Sequence, residues 1–323
     1  MAKKRTKYPK WYVVLRNARD WTLARWMLAF LWMVKLLPAD FAINLSERIT
    51  RFLGMLYPRT KLARQNLKLA FPEKSDAQIE EILRGMWGNL GRTAAEYAFL
   101  DKIFDWDPDH PEAGRFFFAG NENFEALRDL EGPAVCFTAH TGNWEVLPVG
   151  AAAYGLNITA LFRPPNNPYL AKELLKARRT AMGHLVPSKA GAAWALAGIM
   201  DDGGKVGILA DQFFRRGVTV TFFGRETLAN PLLAKLVNNY DCPVYPARTI
   251  RLPGGRYRME LQDPLEIPRL ENGRVDQQAL TQMVTSKIEE WVREYPEQWL
   301  WLHKRWRKPK QKKNKANKNR KKA

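Results

Sequence analysis

At 323 residues, 46% of them hydrophobic, the chain carries enough apolar material for one large α/β domain or two modest ones. Its 52 Lys and Arg against 33 Asp and Glu leave a charge of +19, so an anionic partner is expected: nucleic acid, anionic lipid or an acidic protein. Only Cys136 and Cys242 occur, each in or beside an apolar run, which excludes a disulfide framework and reads as two buried reduced thiols in a cytosol-facing protein.

In chain order, the first feature is W-T-L-A-R-W-M-L-A-F-L-W-M-V-K-L-L-P at residues 21–38, with Arg25 and Lys35 interrupting an apolar stretch. The clean part is shorter than the roughly 20 apolar residues that span a bilayer. No small-residue cleavage site follows, so it is a poor secretory signal. Tryptophans at 11, 21, 26 and 32 among Lys and Arg suit a helix at the headgroup level. A tilted span with snorkelling basic ends and a plain core helix are the competing readings; membrane attachment is the expectation, its mode open. Residues 1–38 are accordingly set apart as an N-terminal membrane-associating section.

Helical periodicity continues to about residue 100. Ser75 opens one helix, with Ile79, Ile82, Leu83, Met86 and Leu90 on its apolar face. From about 115 the texture changes. Short apolar runs at 133–139, 157–162, 205–210, 218–223, 243–250 and 256–261 alternate with helix-like stretches at 168–182, 189–202, 227–240 and 276–294. That alternation predicts an α/β fold, a mixed and mainly parallel sheet flanked by helices. L-P-G-G at 252–255 predicts that the last two strands form an antiparallel hairpin. A single domain over 39–307 and a disordered lysine-rich tail at 308–323 complete the expected organisation. The tail from Lys308 to Lys322 holds nine Lys or Arg and no acid, and removing those nine charges from +19 leaves +10 on the rest.

The run P-A-V-C-F-T-A ends on His140, with Glu145 five residues later. Neither a helix nor a straight strand brings residues at that offset together. A strand end, a turn through Thr141-Gly142-Asn143 and a helix starting near Trp144 can. His140 then stands at a strand's carboxyl end, where open α/β sheets place ligands. Glu145 is expected to accept from one imidazole nitrogen, leaving the other to take a proton from a substrate hydroxyl. No side-chain nucleophile is aimed at the pair by the sequence. Neither pair of histidines at metal-ligand spacing nor a fuller Cys/His set accompanies His140, so no metal and no bound cofactor is expected.

These residues resemble a known family. A-H-T-G-N-W-E-V is similar to the H-x4-D/E block of the glycerolipid and lysophospholipid acyltransferases, and more closely to the branch that adds secondary acyl chains to lipid A. L-F-R-P-P-N-N-P (161–168), R-R-T-A-M-G (178–183), G-I-L-A-D-Q (207–212), F-F-G (222–224), N-P-L-L-A (230–234) and Y-P-E-Q-W-L-W-L-H-K-R-W-R follow in that branch's order, covering about residues 40–307. The resemblance implies His140 as general base and Glu145 as its orienting carboxylate. It also implies substrate contacts from Arg163, Arg179, Asp211 and Gln212. Guanidinium groups suit the phosphates of a lipid A precursor. An acyl carrier protein, which is acidic, is the implied thioester donor, and the cytoplasmic face of the inner membrane the implied location. Another glycolipid or a lysophospholipid is the alternative acceptor. A nucleic-acid-binding role for the basic tail is the alternative of another class, and no nucleic acid is expected. Trp299, Trp301, His303 and Trp306 are read as packing or interface anchoring, and Arg215, Arg216, Arg225 and Arg248 as unranked candidates for the same basic surface.

Overall fold

The computed structural model describes residues 9–162, 167–173, 185–187 and 191–306. Five helices come first: α1 (Lys10–Val34), α2 (Ala39–Leu56), α3 (Thr60–Ala70), α4 (Asp76–Glu96) and α5 (Leu100–Ile103). Then β1 (Phe116–Ala119), α6 (Asn121–Asp129), β2 (Ala134–Thr138), α7 (Leu147–Ala153) and β3 (Ile158–Phe162) follow. Residues 168–173 belong to α8, capped by Asn167, whose Oδ1 accepts from the backbone N–H of Tyr169 and Leu170. β4 (Leu185–Pro187), α9 (Ala192–Asp201), β5 (Lys205–Leu209), β6 (Phe213–Phe222), β7 (Arg225–Ala229), α10 (Leu232–Tyr240), β8 (Val244–Arg251), β9 (Tyr257–Leu261) and α11 (Gln277–Glu294) close the order.

Seven strands form one sheet in the order β1-β9-β8-β2-β5-β3-β4. Every neighbouring pair is parallel except β8 and β9, the expected hairpin. β2 shows why its sequence is apolar throughout. Val135 and Phe137 enter the core beneath α10 and α11, while Ala134 and Cys136 face the cluster with α6 and α7. A strand covered on both faces needs apolar side chains at both parities. Both cysteines are free and buried, as their surroundings suggested.

Two of the expected elements depart from the sequence reading, and strands β1 and β4 lie outside the runs it marked. The run at 218–223 joins β6, which pairs only with β7 in a separate two-stranded hairpin, rather than entering the main sheet. The helix expected from 227 starts at Leu232, because residues 225–229 are drawn into β7 by pairing with β6. Local apolar content could not distinguish these states; cross-strand pairing decides them. At α4 the start signal is realised in full: Ser75 and Gln78 form a reciprocal capping box.

The N-terminal helices leave much apolar surface uncovered. α1 buries Ala24 but leaves Trp11, Trp26, Phe30, Trp32 and Met33 exposed, Trp26 at 73%. α2 continues this surface with Phe41, Ile49, Phe52, Leu53 and Leu56. Among the described residues no helix is long and apolar enough to cross a membrane.

Candidate active site

Parallel pairing of β2 with β5 places the site. Thr138 lies opposite Leu209, so the chain leaves both strands in step and His140 and Asp211, each two residues on, come side by side. His140 Nδ1 lies 2.8 Å from Asp211 Oδ1, and the His140 backbone N–H donates to Asp211 Oδ2 at 3.1 Å. Trp299 Nε1 donates to that same oxygen at 2.9 Å. Three bonds therefore fix a carboxylate that is 2% exposed. With Asp211 as acceptor, Nδ1 carries the proton and Nε2 keeps its lone pair.

This arrangement corrects the expected pairing. The carboxylate bonded to the imidazole is Asp211, 71 residues away, and not Glu145. The chain turns through residues 141–146 and α7 begins only at Leu147, so Glu145 is not in a first helical turn. Its carboxylate accepts from Trp144 Nε1 at 3.2 Å, and its backbone N–H donates to Asn143 Oδ1 at 3.2 Å. Glu145 still belongs to the site: it lines the same cavity as His140 and adds negative charge near the ring.

Burial works against a charged imidazole here, but the charge of Asp211, its hydrogen bond and the charge of Glu145 outweigh it, so the pKa of His140 is raised. For Asp211 burial favours the neutral acid, and the opposing charge and hydrogen bonds from His140, with Trp299, hold it well below the usual carboxylate range. The pair is thus a carboxylate that stays ionised beside an imidazole whose protonated form is stabilised.

Gln212 stands on the other side of the ring. Its Nε2 lies 3.4 Å from His140 Nε2 and 3.1 Å from His303 Nε2. The amide nitrogen thus lies beside the lone pair of His140 Nε2. Trp299 and His303, read from sequence as packing, are in contact with the site's two polar anchors. The signal was present only as their spacing in the terminal block; their partners are some 90 residues earlier.

A cavity of about 220 Å³ runs along β2 from His140 past Thr138 to Cys136. Beyond His140, Glu145, Glu260 and Thr138 its walls are largely apolar, with Phe124, Leu156, Ile158 and Met259 among them. Cys136 is not a nucleophile there, because burial pushes its thiol up to about 12. Among the described residues no group of three or more His, Cys, Asp or Glu could hold a metal ion.

Arg163 and Arg179 lie outside the described residues. Arg248 does not join a basic surface: it is buried and paired with Glu260 and Glu294. Arg215, Arg216 and Arg225 are exposed.

Comparisons with known proteins agree with the resemblance. The family model for the bacterial lipid A biosynthesis acyltransferases matches residues 10–308. The lipid A biosynthesis lauroyltransferase of Escherichia coli is 24% identical over 94% of this chain and 96% of its own length. The palmitoleoyltransferase of the same organism is 24% identical over 87% of this chain and 89% of its own. Lipid A biosynthesis acyltransferase 2 of Shigella flexneri is 23% identical over 83% and 84% respectively. With nearly its whole length matched by that family model, the chain belongs to the bacterial lipid A biosynthesis acyltransferases.

Proposed function

We propose that this acyltransferase moves a fatty acyl chain from an acyl carrier protein thioester to a hydroxyl of a lipid A precursor of the Kdo-lipid IVA type, at the cytoplasmic face of the inner membrane. The observation that carries the reading is the His140–Asp211 pair opening onto an apolar cavity. His140 Nε2 takes the proton of the acceptor hydroxyl as its oxygen attacks the thioester carbonyl. Asp211 holds the imidazolium that forms, and Glu145 adds to its stability. Collapse of the tetrahedral intermediate breaks the carbon–sulfur bond, and the leaving thiolate recovers the proton from His140. One ester and one thiol result. Gln212 orients the hydroxyl, and the apolar cavity takes up the acyl chain. Arg163 and Arg179 are proposed to grip acceptor phosphates.

The exposed apolar surface of α1 and α2 supports attachment to a bilayer, since water-exposed tryptophan and phenylalanine at this density call for a covering phase. Arg215 and Arg216, exposed just after Gln212 on β6, support an acidic donor.

The test is acyl transfer by purified protein, with a panel of acyl carrier protein thioesters against lipid A precursors and other glycolipids. His140→Ala should lower turnover by about 10²–10⁴-fold while the melting temperature holds. Equal turnover in variant and parent would reject the base, and transfer only to another glycolipid would reject the acceptor.

A further inference from the structure

The turn that carries His140 toward Glu145 rests on a buried ion pair with no place in the reaction itself. Glu96, fully buried at the last position of α4, accepts from both terminal guanidinium nitrogens of Arg251, Nη1 at 2.5 Å and Nη2 at 3.0 Å. A carboxylate at a helix's carboxyl end opposes the helix dipole, and burying it with an arginine removes both charges from water. Neither choice favours folding, so a local task explains the pair better than stability does.

Its hydrogen bonds define that task. Asn143, itself fully buried, donates from Nδ2 to Glu96 Oε2 at 2.8 Å and accepts at Oδ1 from the Glu145 backbone. Arg251 Nε donates to Asn89 Oδ1 at 2.9 Å, and Asn89 Nδ2 in turn donates to the carbonyl of Gly142 at 2.9 Å. Gln298 closes the frame: its carbonyl accepts from the Gly142 N–H at 3.1 Å, and its side chain exchanges two hydrogen bonds with the Arg251 backbone. Tyr257 donates its hydroxyl hydrogen to Glu96 as well.

We infer that Glu96 and Arg251 are positioning residues, which act through Asn143 and Asn89 to hold the 141–145 turn so that Glu145 and the imidazole of His140 face one cavity. The inference rests on the acyl-transfer reading above. Neither residue touches substrate. A turn displaced by about 1 Å at the reacting groups is enough to lower turnover on the order of 10²-fold.

The experiment is a double-mutant cycle on the full chain with Asn143→Ala and Glu96→Gln, reading kcat, KM and melting temperature. Each single change should lower kcat by about 10- to 100-fold with KM within about twofold, and the double variant should be no slower than the slower single. Rates that fall only in step with the folded fraction, or two losses that multiply, would overturn the inference. Should Glu96→Gln fail to fold, Asn143→Ala against Asn143→Gln supplies the same kcat–KM split, and an unchanged kcat in both would overturn it. If the parent transfers no acyl group at all, the acyl-transfer reading fails and the cycle is not the cause.

Discussion

At the scale of single residues, His140 is set between a bonded carboxylate and a nearby one, and this makes its protonation state the controlling variable. In the proposed reaction the neutral imidazole is the base, so the rate should rise with pH as His140 loses its proton. Asp211 and Glu145 raise that pKa, which centres the rise in kcat/KM above the ordinary histidine value of about 6.5. Asp211→Asn removes the stronger of the two carboxylate influences. The rise should then move to lower pH, and the plateau should fall by about 10²–10⁴-fold, because an amide no longer stabilises the imidazolium. A pH–rate profile of parent and variant checks both signs. A profile that does not move would mean that Asp211 serves only to pack against Trp299.

At the scale of elements, the site is a product of two parallel strands ending together and one tight turn. Gly142 has φ +56°, and a Cβ there would stand 1.9 Å from the carbonyl oxygen of Thr249 on β8. No side chain fits without moving the turn or the strand. Gly142→Ala should therefore lower stability by about 1–3 kcal/mol or more and reduce turnover beyond that, read by thermal unfolding and by rate at a temperature where the variant is folded. Of the turn's neighbours, α4 and the 298–300 segment bind it from opposite ends of the sequence. The helix and the 298–300 segment thus act as supports for a loop they do not adjoin.

At the scale of the whole molecule, charge and apolar exposure divide the labour. α1 and α2 present Trp26, Phe30, Trp32, Phe41 and Phe52 to solvent, although no described helix can span a bilayer. The proposed membrane attachment would cover this apolar surface without a spanning helix. Trp26→Ser with Phe30→Ser should weaken sedimentation with anionic phospholipid vesicles by about tenfold or more, since each buried apolar side chain contributes roughly 1.5–3 kcal/mol. Raising salt should weaken binding further, by screening the basic body against the vesicle charge. Binding unchanged by the double substitution would remove α1 from the membrane contact.

What the amino-acid order determined by itself was whatever depends on neighbours along the chain. The period of apolar residues marked α4 and α11, the all-apolar run marked β2 as a strand buried on both faces, and L-P-G-G marked the β8–β9 hairpin. His140 stood out because a core strand ends on it, whereas Asp211 and Gln212 entered only through the resemblance to the acyltransferase family. The partnership between His140 and Asp211 was decided by strand register, which no spacing of five or of 71 residues encodes. Likewise Glu96, Arg251 and Trp299 acquire their place only when α4, β8 and the terminal segment converge on one turn. Hydrophobic periodicity is a local property and survives in one dimension; a hydrogen bond between distant strands exists only after the sheet has set which ends meet.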